Sequence, residues 1–146
     1  MIFTPPYQIV IIDDDQDTRQ LLKHWIQDAY RDQVILHFYT NFSDALKLFK
    51  EKGAKIHMAI VDLHIGKEHG EDFIAKLTHM DRGMKIMATS ADMGLTPAIE
   101  CFNNGASYFL DKPLSRKDVV ENIKRCIEHF KYWHKLVESR VSKEEG

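Results

Sequence analysis

A doubly wound α/β sandwich built on a five-stranded parallel sheet is the fold class this sequence predicts, and three observations carry the prediction. Five short apolar runs recur along the chain: Tyr7–Ile12, Val34–Tyr39, His57–Val61, Met84–Thr89 and Ser107–Leu110. Each is followed by a segment whose apolar residues recur at helical spacing. The runs are too continuously apolar for a half-exposed antiparallel sheet, so both faces of every strand are expected to be covered by helices.

The helices follow in order. Leu21, Leu22, Trp25, Ile26 and Ala29 form the first stripe, expected to pack on the sheet. Asn41 is placed to cap the second helix, whose stripe is Phe42, Ala45, Leu46 and Phe49, and Gly53 to end it. Phe73, Ile74 and Leu77 make the third stripe, and Leu95, Ala98, Ile99 and Phe102 the fourth, which Gly105 closes. Ser115, just after Pro113, is placed to start the fifth helix. From Val119 its apolar positions run on through Ile123, Cys126, Phe130, Trp133 and Val137 in alternating steps of four and three. That is a coiled-coil seam, longer than one sheet can cover, so an extended C-terminal helix is expected, with a homodimer formed through it. The chain then divides into an N-terminal arm (1–6), one domain (7–130), and a helical extension and tail (131–146).

Composition narrows the function. At 146 residues and 17.0 kDa the chain suits a single core. Lys and Arg number 20 against 22 Asp and Glu, a formal charge of −2, and 44% of residues are hydrophobic, which argues against disorder and against a polyanion-binding surface. No nucleic-acid partner is expected. The longest apolar run, Ile9–Ile12, is far short of the ~20 residues a membrane helix needs, and no signal peptide opens the chain. A cytoplasmic protein without a membrane partner is expected. Cys101 and Cys126 lack any ligand spacing and read as reduced structural thiols, and His64 and His69 read as solvated loop residues rather than a zinc site.

In a doubly wound sheet, ligands bind beyond the carboxyl ends of the strands. Here those ends are polar. The first run is followed by Asp13-Asp14-Asp15, the third by Asp62, the fourth by Ser90-Ala91 and the fifth by Asp111-Lys112-Pro113. Asp15 reads as the cap of the first helix, and Thr89 as a strand residue. Carboxylates gathered at one edge repel unless a cation lies between them, and a hard divalent ion with oxygen ligands, Mg2+, is the natural one. A carboxylate, an ammonium and a hydroxyl beside such an ion are also the equipment of phosphoryl transfer.

With these motifs the chain, from about Tyr7 to about Phe130, resembles the receiver domain of two-component response regulators. The segments that carry the resemblance are Val10-Ile11-Ile12-Asp13-Asp14-Asp15, Ile60-Val61-Asp62-Leu63, Met87-Ala88-Thr89-Ser90-Ala91, Gly105-Ala106-Ser107-Tyr108-Phe109-Leu110 and Asp111-Lys112-Pro113. The resemblance implies a flavodoxin-like strand order 2-1-3-4-5 and five helices. It implies that Asp62 accepts a phosphoryl group from a sensor histidine kinase or phosphotransfer protein, and that Asp13, Asp14, Asp62 and the backbone carbonyl of His64 hold Mg2+. Lys112 would contact the acyl phosphate, the peptide before Pro113 would be cis, Ser90 would bond a phosphoryl oxygen, and Phe109 would be an aromatic rotamer switch. His64 and Asp92 would line the path of the hydrolytic water. Such a protein is a signalling phosphoacceptor that catalyses its own phosphorylation and dephosphorylation. An aspartate-nucleophile phosphohydrolase would need a second acid two residues after Asp62, and His64 stands there. Where the family usually has a Met-Pro pair after the acceptor, this chain reads Leu63-His64-Ile65-Gly66, which predicts a looser loop.

Overall fold

Alternation along three central strands builds two cores. The computed structural model describes residues 2–52, 55–81 and 83–145. Its sheet strands are β1 (Tyr7–Ile12), β2 (Val34–Tyr39), β3 (Met58–Asp62), β6 (Lys85–Ser90) and β7 (Tyr108–Asp111). They pair in parallel in the order β2-β1-β3-β6-β7, which is 2-1-3-4-5 when only these five are counted. Successive side chains point to opposite faces. Val10, Ile12, Ala59, Val61, Ile86 and Ala88 therefore enter one core, and Tyr7, Ile9, Ile11, Met58, Ile60 and Met87 the other. The first core is closed by helices α2 (Phe42–Lys52), α3 (Gly70–Met80) and α4 (Leu95–Asn104), the second by α1 (Gln16–Tyr30) and α5 (Arg116–Glu145).

The caps agree with the sequence. Asn41 Oδ1 accepts the Asp44 N–H at 2.8 Å at the start of α2, and Ser115 Oγ accepts the Asp118 N–H at 3.2 Å at the start of α5. Gly105 closes α4 in the left-handed conformation. Gly53, expected to end α2, lies outside the described residues. Three strands run one residue later than their apolar runs, because the ladder extends through Asp62↔Thr89 and Ser90↔Asp111. Asp62, Ser90 and Asp111 are thus the last residues of strands rather than the first residues beyond them.

Two expectations are corrected. The stripe Leu95, Ile99, Phe102 does not face the sheet: Leu95 is 75% and Phe102 78% exposed, and the buried residue of α4 is Cys101. The opposite side of α4 packs on α3, where Asn104 Nδ2 donates to the Glu71 carbonyl at 3.0 Å. Periodicity finds a stripe but not the side that is covered, and Leu21 of α1 is likewise exposed. Second, the segment after Asp62 is no loose loop. Residues His64–Ile65 (β4) and Glu68–His69 (β5) pair as an antiparallel hairpin across Gly66-Lys67. Gly66 has φ +58°, the backbone that hairpin turns reserve for glycine.

Helix α5 buries Val119, Ile123, Cys126 and Phe130 on the α1 side of the sheet, then continues with Trp133, Val137 and Val141 exposed. No helix among the described residues is long and apolar enough to cross a membrane. Both cysteines are buried and unpaired. Burial pushes the Cys101 thiol up to about 11 and that of Cys126 up to about 12, so neither is a reactive thiolate at neutral pH.

Candidate functional site

The polar strand ends converge. Asp13 follows β1 directly: its N–H continues the ladder to the Tyr39 carbonyl at 3.0 Å, which turns its side chain inward, 2% exposed. Its Oδ1 accepts the Asp15 N–H at 2.9 Å. Asp15 is the cap of α1, its Oδ2 accepting the Thr18 N–H at 3.2 Å. Asp14, between them, is exposed. Asp62 ends β3 at 5% exposure, with Oδ1 accepting the His64 N–H at 3.1 Å. Lys112 reaches across from beyond β7, its Nζ donating to Asp13 Oδ2 at 2.9 Å and to Asp62 Oδ2 at 3.2 Å.

One ammonium thus serves two buried carboxylates. Burial, together with the charge of Asp13, holds the Asp62 carboxyl above its usual range, against the His64 N–H and Lys112. Burial alone would lower Lys112, but its hydrogen bond to Asp13 and the charges of Asp62 and Asp13 outweigh that and raise it. The lysine is therefore a fixed cation engaged more closely with Asp13 than with Asp62. Carboxylate oxygens of Asp13, Asp14 and Asp62 lie within 4.8 Å of one another, the one such metal-capable group among the described residues. An all-oxygen donor set with unbalanced negative charge fits a hard divalent cation and disfavours a soft one.

The backbone shapes the rest of the site. In the hairpin, Ile65 and Glu68 flank the two-residue turn, so His64 and His69 form a pair that exchanges no ladder bonds. The N–H and carbonyl of His64 both turn away from β5, the N–H toward Asp62 and the carbonyl free of the ladder. Gly70 opens α3 directly behind this point, and a Cβ on it would stand 2.6 Å from Leu63 Cα and 2.8 Å from the Asp62 carbonyl oxygen. Only glycine lets α3 approach β3 this closely. Ser90 is fully buried, its Oγ accepting the Asp92 N–H at 3.0 Å. The peptide between Lys112 and Pro113 is cis, and the Lys112 N–H donates to the Ser90 carbonyl at 2.8 Å. Phe109 is half-buried against the core under α3 and α4. Thr89 lies within β6, opposite Asp62.

Sequence reasoning missed Arg19. Its Nη1 donates to the Asp13 carbonyl at 2.8 Å, from the first turn of α1. A charged residue on a helix surface carries no sequence signal for such a contact.

Comparison with known proteins agrees with this architecture. The chain is 28% identical over 120 residues to the transcriptional regulatory protein SrrA of Staphylococcus aureus, an alignment covering 82% of this chain and 47% of that protein. The chain thus spans about half the length of the curated relatives it matches. The fold is that of a response regulator receiver domain protein from Clostridium thermocellum, with TM-score 0.78 and 22% identity, covering 87% of this chain and 98% of that one. It is also similar to a response regulator from Burkholderia pseudomallei solved with a phosphorylated aspartic acid, a calcium ion and citrate, with TM-score 0.69 and 22% identity over 89% and 74% of the two chains. The sequence pattern of the response regulator receiver domain matches residues 9–124, and with the acid pocket at the ends of β1 and β3 this places the chain in the response regulator receiver domain family.

Proposed function

We propose that Asp62 accepts a phosphoryl group from a histidine kinase or phosphotransfer protein in a magnesium-dependent reaction, and that the chain signals through the resulting change of shape. The observation that carries this reading is the juxtaposition of Asp13, Asp14 and Asp62 within 4.8 Å, with Lys112 bridging two of them. A carboxylate oxygen of Asp62 attacks phosphorus, the P–N bond of the phosphohistidine breaks, and its electron pair stays on the imidazole that leaves. Asp13, Asp14, Asp62 and the carbonyl of His64 would hold Mg2+, which when bound offsets charge on the phosphoryl oxygens. Lys112 exchanges its bond to Asp62 for one to a phosphoryl oxygen. The Ser90 Oγ already accepts from Asp92, so its own O–H is free to donate to the phosphoryl group. Phe109, on β7 opposite Ala88 of the strand that ends at Ser90, changes rotamer as Ser90 turns to the phosphoryl group.

The side chains of His64 and Asp92, each two residues beyond Asp62 or Ser90, are exposed and set the hydrolysis rate, so substitutions there alter phosphoryl lifetime more than metal affinity. In this reading the receiver occupies 7–130, with 1–6 as an arm and 131–146 as an extension, and the protein works in the cytoplasm, where its kinase presents phosphohistidine. Intact-mass measurement with a small phosphodonor and Mg2+ should show one added phosphoryl group. It should disappear in Asp62→Asn and in excess chelator. A modification that survives either change overturns the assignment.

A further inference from the structure

We propose that Arg19 is a positioning residue for the metal-holding turn, locking the peptide between Asp13 and Asp14 so that Asp14 points into the site. The inference rests on the magnesium reading above.

The carbonyl of Asp13 is a group the sheet cannot satisfy. In an extended strand the N–H and C=O of one residue point to the same side, and the Asp13 N–H goes to Tyr39. Strand β2 ends at Tyr39, so no N–H of β2 lies beyond it for the carbonyl. Arg19 Nη1 supplies the bond at 2.8 Å. The peptide plane that begins at this carbonyl ends at the N atom of Asp14, so the bond sets the direction in which Asp14 leaves the chain. Asp13 and Asp62 have side-chain partners of their own, but Asp14 is exposed and makes no side-chain hydrogen bond among the described residues. Its aim depends on the backbone alone.

Arg19 is not placed for the benefit of its helix. It stands in the first turn of α1, where the helix dipole is positive and a cation is unfavourable. The guanidinium also lines an open hollow of about 220 Å³ with Gln16, Gln20, Lys23 and Phe38. Arg19 is half-exposed and belongs to neither core, so its loss frees the peptide without unfolding the domain.

The test is Mg2+ titration of the unphosphorylated full chain, read from the amide shifts of Asp13 to Asp15 and from the magnesium-dependent rise in melting temperature. Arg19→Met should weaken magnesium binding about tenfold, the scale of losing a group that orients a ligand. Arg19→Lys, which keeps a donor on a flexible stem, should recover most of it. Lys23→Met removes a neighbouring charge that does not touch the turn and should bind magnesium as wild type does. Melting temperature in chelator should stay close to wild type in all three. Wild-type affinity in Arg19→Met overturns the proposal, as does equal weakening by Lys23→Met, which would make the effect one of general charge. Absence of magnesium binding in the wild type itself would instead sink the metal reading, and this proposal with it.

Discussion

The two ends of the central strands treat buried polar groups in opposite ways. At the carboxyl end, Asp13 and Asp62 are buried and share Lys112, so negative charge is left over. At the amino end, His57 is as deeply buried, yet every polar atom has one matched partner. Its Nδ1 accepts the Gln8 N–H at 2.9 Å, and its Nε2–H donates to the Ile2 carbonyl at 2.6 Å. Its ring stands edge-on between Tyr7 and Phe130, at 5.2 and 5.3 Å between centroids. A neutral, fully bonded group stabilises the fold and ties the N-terminal arm to the sheet. An under-compensated charge opposes folding and is useful only to a ligand that completes it.

The sharpest test of that contrast is Lys112→Met without divalent ions. It leaves two buried carboxylates unpaired and should cost about 3 kcal/mol of stability in urea unfolding. A loss below about 1 kcal/mol would mean that solvent already screens the pocket. Next, His57→Ala should cost about 2 kcal/mol, from two lost hydrogen bonds and the space left between Tyr7 and Phe130. Asp62→Asn should have the opposite sign, a gain on the order of 1 kcal/mol at pH 7 without divalent ions. The carboxyl of Asp62 is raised, so the folded state holds its proton more tightly and ionisation costs stability. The gain should therefore fade as pH falls through the raised folded value of Asp62 and vanish below about 3.8, its ordinary value, where both states carry the proton. A destabilised Asp62→Asn would erase the distinction between the two ends.

The smallest effect is the pH response of His57. Burial lowers its basicity, so the folded state favours the neutral ring. Its contribution is fully present above about 6.5, the unfolded value, and is lost as pH falls through the lowered folded value. Stability should drop by less than about 1 kcal/mol between pH 7 and 5.5 on this account, and by less still in His57→Gln. His37 and His129 are also lowered by burial and add to the wild-type slope.

What could be read in the sequence was what burial and strand position dictate. β1 and β3 are covered on both faces, and that coverage writes itself as Ile9–Ile12 and Met58–Val61. The acids follow such runs directly, and Ser90 and Lys112 follow the fourth and fifth, so strand position alone puts Asp13, Asp14, Asp62, Ser90 and Lys112 at one edge. Asp15 could be read as a cap because an acid between a strand and a helical stripe suits that place, and its Oδ2 does accept the Thr18 N–H. The outward stripe of α4 was misread because three apolar residues at helical spacing look the same whichever side they face, and Cys101 alone is a weak marker of the inner one. The hairpin at Gly66 escaped because two-residue strands leave no periodicity to detect. Arg19 and His57 escaped for a different reason: each bonds the backbone of a residue chosen by tertiary geometry, and a backbone carbonyl has no letter in a sequence.

Helix α5 carries a mechanical consequence. Its cap, Ser115, lies three residues past Lys112, while its far end is Glu145. At 1.5 Å per residue the exposed stretch from Lys131 to Glu145 is a stiff lever of about 22 Å. A tilt of only about 5° at Lys131, where the helix leaves the body of the domain, would move the tip by about 2 Å, so a small bend there is magnified at a distance where no atom of the acid pocket reaches.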